Sequence, residues 1–286
     1  MSEQPTGVIH DIGYQRYDGP RLGRAYAARS LYTHGLRTAF GLGRSAKAKI
    51  FPWAVAGIIG IVAVVLTVVR AQSGEAPVSY AEYPETLTIP MILFCAVVAP
   101  ELVSRDLRTG VLPLYFSRPI MRSDYALVKL AALVTAAWLP VAAGQLLMFT
   151  GAAFDVSSIR EFWTELGDLL PGLAYSALHA LVFGAVALLV ASLASRRAVA
   201  AAAIVAVFLV TTPIVGVLYS VGGETGKQLA WLASPTTLVG GVGDWLFEVG
   251  GKSGVGDYGP LYGVVAAALV GGCAALLLAR YRRVAR

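Results

Sequence analysis

Six long apolar stretches constrain this chain more than any other feature of it. They cover residues 50–69, 87–103, 127–149, 169–193, 198–219 and 261–279. Each is long enough for a helix to cross a hydrocarbon core, which takes about 20 apolar residues. Lys and Arg fall in alternate connections. The first 49 residues hold eight, the second connection holds Arg105, Arg108, Arg118 and Arg122, the fourth holds Arg196 and Arg197, and the tail holds Arg280, Arg282, Arg283 and Arg286. The remaining connections share only Arg160, Lys227 and Lys252, with Arg70 at one rim, and carry most of the acidic residues. Positive loops stay on the cytoplasmic side of a membrane. The expectation is an all-α integral membrane protein with six transmembrane helices and both termini cytoplasmic.

Composition agrees with that reading. Hydrophobic residues make up 57% of the chain and charged residues 14%, far from the balance of a soluble domain. Six spans, an arm over residues 1–49 and one long loop use up the 286 residues, so no soluble catalytic domain is expected. The net charge of +6 belongs to the topology signal. It points to anionic membrane lipid as a partner and not to nucleic acid. Cys95 and Cys273 both fall inside apolar spans and read as small hydrophobes, not as a disulfide or a metal pair. The polar, basic arm shows no cleavable signal, so the first span is expected to direct insertion. Heavy use of Ala, Val, Gly and Arg suggests a multi-pass protein of a bacterial cytoplasmic membrane.

Within the arm, residues 1–20 read as flexible or loosely docked, and a helix is expected from Arg21 to about Phe40. A helical wheel puts Leu22, Tyr26, Leu36 and Phe40 on one face, with Tyr32 at its edge and Arg29 interrupting it. Gly41 and Gly43 end the helix. Two readings stand: a solvated basic arm near lipid headgroups, or an interfacial helix beside a cytoplasmic partner. Prolines 90, 100, 140 and 213 fall inside spans, and the two in span two would let its ends move independently. Residues 221–260 form the longest connection. Apolar clusters at 229–232, 238–239 and 245–249 suggest short half-inserted helices on the outer face, with Trp231 and Trp245 at headgroup depth. The alternative is an ordinary exposed loop.

Chemical motifs are scarce. His10, His34 and His179 form no metal-ligand spacing, and neither H-E-x-x-H, C-x-x-C nor G-x-S-x-G occurs. Gly251, Lys252 and Ser253 mimic the end of a phosphate-binding loop. Its first glycine is missing, because Leu246 stands five positions before Gly251, and no strand precedes it. No catalytic, metal or cofactor site is expected. His179 follows Tyr175 and Ser176 by one turn inside span four, and Gln145 lies in span three. Buried polar groups in lipid usually bond helix to helix; the alternative is a place on a transport pathway. Few other ionisable groups lie in the spans, which argues against an ion-driven carrier.

Residues 100–129 differ from the rest. Mixed charges leave span two at Glu101, Gly110 permits a turn, residues 112–116 make an apolar patch, and Arg118 with Pro119 starts a new element. The segment is either a charged turn that fixes topology or a short amphipathic element that offers arginines and apolar side chains to a soluble partner.

In these residues the chain resembles the permease subunits of type-2 ABC exporters. The similarity rests on Glu101 closing span two, the mixed-charge run Arg105, Asp106, Arg108 and Gly110, the leucines 112 and 114, the turn Ser117-Arg118-Pro119 with Arg122 after it, and Lys129 early in span three. Pro113 departs from the pattern by interrupting the leucine-rich stretch, which shortens any helix there. Six spans, a basic arm and a long fifth connection extend the resemblance over nearly the whole chain. It implies a permease without a nucleotide site, in which ATP is bound by separate ABC ATPase subunits and a second permease, the same chain or a homologue, completes the pathway. It further implies that residues 105–116 are the coupling element seated on the ATPase, anchored by Glu101 and by Arg118 to Arg122, and that residues 221–260 form the outer gate.

Overall fold

The computed structural model describes Gly19, residues 22–247, Val249 and residues 255–284. The reading of residues 1–20 as a loose segment, with His10, lies outside the described residues except at Gly19, and so does that of Gly251, Lys252 and Ser253 as a mimic loop. Among the described residues there is no strand. The helices are α1 (Arg24–Ala39), α2 (Ala46–Ser73), α3 (Tyr83–Thr86), α4 (Thr88–Leu102), α5 (Ser104–Thr109), α6 (Leu112–Phe116), α7 (Arg122–Asp155), α8 (Ile159–Leu193), α9 (Arg197–Val221), α10 (Glu224–Ala230), α11 (Pro235–Phe247) and α12 (Gly259–Val284). Six helical runs are long and apolar enough to cross a membrane: α2, α4 with α5, α7, α8, α9 and α12 with the 3₁₀ turn before it.

Burial separates the spans into a centre and a rim. Within their most apolar windows α8 is 67% buried and α4 with α5 61%, whereas α2, α9 and α12 are each only 22% buried. Both long helices bury small residues, Ala132, Ala136, Ala137 and Gly144 of α7 and Ala180, Gly184, Ala187 and Ala191 of α8, and Gly184 lies directly against Val134 of α7. Without a hydrophobic drive between helices in lipid, such residues let backbones approach closely enough for dispersion to hold them.

Ion pairs fix which helix ends lie together. Arg44, Glu101 and Arg197 meet at one end, where Tyr125 of α7 also meets Tyr281 of α12. Arg70 and Glu165 meet at the other. The spans therefore alternate in direction, with α1 and the last turn of α12 at the same end. We call this the basic end and the opposite one the acidic end.

Two features depart from the sequence reading, and a third adds to it. First, α1 buries Leu31, Gly35 and Ala39, while Leu22 and Tyr26, expected on its apolar face, are 53% and 56% exposed. The buried stripe at every fourth residue is the one whose small side chains allow contact: a methyl on Gly35 would come within 2.8 Å of Ala132 on α7. Tyr32 donates to Thr135 at 3.0 Å and Arg24 pairs with Asp124 at 2.5 Å, so α1 lies along the first turns of α7. Second, α7 and α8, with 34 and 35 residues, run roughly 50 Å each and exceed a hydrocarbon core of about 30 Å. The connection between spans three and four is thus mostly a continuation of those helices. Third, α4 has only 15 residues, roughly 22 Å. Before it, residues 78–87, which include α3, pack against α2 and α7. Tyr83 donates to Ile59 O in the middle of α2 at 2.7 Å, and Gln145 donates to Tyr80 O at 2.8 Å. Pro90 stands in the first turn of α4, where no intrahelical bond is lost. Only Pro100 lies deeper in that helix.

Candidate functional site

At the basic end the chain leaves α4, makes α5, turns at Gly110 with φ 66°, and makes α6 before entering α7. Pro113 falls in the first turn of α6, a position that needs no backbone donor. The turn expected at Gly110 is present, a left-handed residue that ends α5, and with Pro113 opening α6 two short helices replace one.

One face of this segment is tied to the bundle. Ser104 donates to Ala191 O of α8 at 2.7 Å, and both groups are buried. Asp106 Oδ2 accepts from Lys129 Nζ at 2.9 Å and from the Tyr125 hydroxyl at 2.7 Å. The ammonium lies 5.3 Å from the Tyr125 ring centroid and 5.9 Å from that of Tyr115. Lys129 is only 3% exposed. A charge so far out of water is tolerated because a carboxylate and two ring faces replace its hydration. The Tyr125 ring in turn meets Tyr281 of α12 edge-on at 5.0 Å. Arg122 stacks 5.8 Å from the Phe116 ring and donates to Arg282 O at 3.1 Å. The segment is thus held by α7, α8 and α12 together.

Glu101 anchors its start. In the last turn of α4, its two carboxylate oxygens pair separately with Arg44, at 2.5 Å, and with Arg197. One side chain thereby joins the α1–α2 turn, span two and the first residue of α9.

The other face is bare. Arg105, Arg108, Gly110, Arg118 and Pro119 are exposed, and so are Leu114, at 69%, and Met121, at 56%. Of the residues singled out from sequence, Glu101, Asp106, Arg122 and Lys129 face inward as anchors, while Arg105, Arg108, Gly110, Arg118 and Pro119 face outward. The arrangement presents two apolar side chains amid three arginines on a braced scaffold.

The intramembrane polar residues come together in one network. Ser176 donates to Gln145 Oε1 at 3.0 Å and receives Trp138 Nε1 at 3.0 Å. His179 lies with Nδ1 3.3 Å from Tyr175 O, its ring between Tyr175 and Phe183. The Tyr175 hydroxyl lies 2.6 Å from Glu85 Oε1, to which it donates, and 3.2 Å from Val239 O of α11. All four of Gln145, Tyr175, Ser176 and His179 are buried and bonded between or along helices.

The acidic end holds a cavity of about 540 Å³ lined by Arg70, Tyr80, Glu82, Glu165, Asp168, Met148 and Phe247 among others. Glu165 takes Arg70 and the Tyr80 hydroxyl, at 2.8 Å, so part of its polar wall is already satisfied. None of the four intramembrane polar residues lines it. Over residues 221–260, α10 and α11 are short helices. Trp245 packs on Gly259 and Gly263, and the Tyr262 hydroxyl donates to Gln228 O at 2.6 Å. Burial holds the Glu85 carboxyl above its ordinary value; Tyr175 pulls it down, and the Asp244 and Glu82 charges push it further up.

Sequence reasoning missed Arg44 and Arg197 as partners of Glu101, counting them only as topology charges. It also missed Tyr125, although the spacing of four to Lys129 on α7 puts the two on one face. Among the described residues, no group of three or more His, Cys, Asp or Glu could hold a metal ion. Comparison with protein-family models and with curated proteins gave no match for this chain.

Proposed function

We propose that this chain is the membrane-spanning permease subunit of an ATP-driven ABC exporter, with its basic end in the cytoplasm of a bacterial cell and ATP hydrolysed by separate ATPase subunits. The observation that carries the reading is the two-faced segment at residues 104–121. A turn that served only to fix topology would have no need of anchors on three spans. Here Asp106, Lys129, Tyr125 and Ser104 brace the segment, while Arg105, Arg108, Leu114, Arg118 and Met121 stand ready for a soluble partner with an acidic-rimmed apolar groove. A push on this face reaches span two through Glu101 and spans three and six through the aromatic cluster.

The cargo pathway is proposed to lie between two permeases, not within one. The polar side chains inside the bundle are spent on one another, while α2, α9 and α12 each leave a long apolar face open. Residues 221–260 would act as the outer gate. Purification of the tagged chain from its native cells in mild detergent tests the reading. A P-loop ATPase is expected to co-purify, and Arg105→Glu with Arg108→Glu is expected to lower its recovery at least tenfold while leaving the melting temperature of the chain unchanged, since both side chains are exposed. Recovery of no ATPase from cells that express one, or recovery insensitive to the charge reversal, would overturn it.

A further inference from the structure

A second cavity, of about 260 Å³, lies at the basic end between the α1–α2 turn, the first turns of α2, the end of α4 and the start of α9. Its polar wall is formed by Arg44, Ser45, Lys47, Arg197 and Glu101, and its apolar wall by Phe51, Pro52, Val97 and Val98 among others. Three cations and one carboxylate thus line this wall, leaving the cavity with an excess of positive charge. Each guanidinium carries five N–H donors. Glu101 engages Arg44 and Arg197 through one nitrogen each, and Lys47 makes no ion pair among the described residues. A tetrahedral oxyanion is the group that accepts from several such donors at once.

The surroundings set the depth of the cavity. Ile50, Phe51 and Trp53, on the first two turns of α2, are 66%, 37% and 54% exposed. Trp53 also donates its indole N–H to Phe40 O at 3.2 Å, so its ring is held at this level. An aromatic side chain with one bonded polar end and an open apolar face marks the boundary between headgroups and acyl chains. We propose that this cavity binds the phosphate of an anionic phospholipid, with the glycerol and first acyl carbons against Phe51, Pro52, Val97 and Val98. The site does not depend on which soluble partner docks at residues 104–121. By filling the gap beside Glu101, the lipid would clamp the α1–α2 turn to spans two and five.

Native mass spectrometry of the full chain, stripped of lipid in neutral detergent and titrated with phosphatidylglycerol, tests the site. One tightly retained lipid per chain is expected. Lys47→Gln should weaken it roughly fivefold, the weight of one basic side chain at an anionic surface. Lys49→Gln is the control: it removes the same charge from the same exposed turn but lies outside the cavity. Neither lysine has a partner whose loss would disturb the fold. Glycerol phosphate, added alone and as competitor, separates a lipid from a soluble phosphate. Weaker lipid binding by Lys47→Gln only, with little competition, is the expected result. Equal loss in both variants, loss in neither, or free glycerol phosphate binding as tightly as the lipid would overturn the assignment.

Discussion

At the basic end, Asp106, Lys129, Tyr125 and Tyr281 meet through charge and ring faces. At the acidic end, Tyr80, Tyr83, Tyr175 and Tyr262 are set directly against Gly172, Gly144, Gly243 and Gly241. The two kinds of contact respond differently to movement. A Coulomb attraction falls slowly with distance, and long side chains can follow a displaced partner. A ring, or at Gly172 the backbone of Tyr80, seated on a glycine has one register, because contact repulsion is steep and no side chain lies between to yield. The difference teaches that the charged contacts can follow a displacement while the glycine contacts resist one.

The strongest way to break the comparison is to unbalance the charged end. Asp106→Asn leaves the buried Lys129 uncompensated and should cost about 3–5 kcal/mol, read as a large drop in melting temperature in detergent. Adding Lys129→Met to Asp106→Leu should recover most of that loss, because an apolar pair of similar volume needs no hydration. A single variant as stable as the parent would show that the pair holds nothing together.

Next comes the glycine end. A methyl on Gly172 would come within 2.8 Å of the Tyr80 backbone, which no side-chain rearrangement relieves. Gly172→Ala should therefore destabilise by about 1–3 kcal/mol, and trimming Tyr80 should not rescue it. At Gly144 the obstacle is the Tyr83 ring alone, so Tyr83→Leu should restore much of what Gly144→Ala loses. Equal rescue at both sites would count against a backbone contact at Gly172.

The smallest effect concerns Glu85, the carboxyl at the junction of α3, α8 and α11. Its folded pKa is raised above the ordinary value of 4.5, chiefly by burial. The folded state holds the proton more tightly than the unfolded chain. This contribution to stability is therefore complete below pH 4.5 and is lost as pH rises through the raised value. Glu85→Gln, which can still accept from Tyr175, should raise the melting temperature at neutral pH and leave it unchanged near pH 4. A gain that is the same at both pH values would exclude titration as the cause.

Much of this was legible from residues. The six spans follow from apolar length alone, since each stretch suffices to cross a hydrocarbon core without help. Gly110 was legible as a turn because only a residue free of Cβ strain takes its backbone angles readily. The face of α1 was legible only in part: Leu36 and Phe40 pack against the core as expected, whereas Leu22 and Tyr26 do not. Large apolar residues pointed to Leu22 and Tyr26, but the close approach to α7 is decided by Gly35 and Ala39, and small residues carry no hydrophobic signal. The packing of residues 78–87 was equally hidden, because they are held by Ile59 O and Gln145, groups remote in sequence.

The sequence by itself therefore determined the number of membrane-crossing helices and the separation of basic and acidic connections, because both depend only on local length and local charge. It also marked Glu101 and Lys129 as charges at the edges of apolar spans. Only the tertiary structure decided that Glu101 joins Arg44 to Arg197, that Asp106 neutralises Lys129, and that the arginines at 105, 108 and 118 are left facing out. Pairing of charges far apart in the chain is set by how helices pack, and that packing is chosen by the sum of many small contacts that no single segment contains.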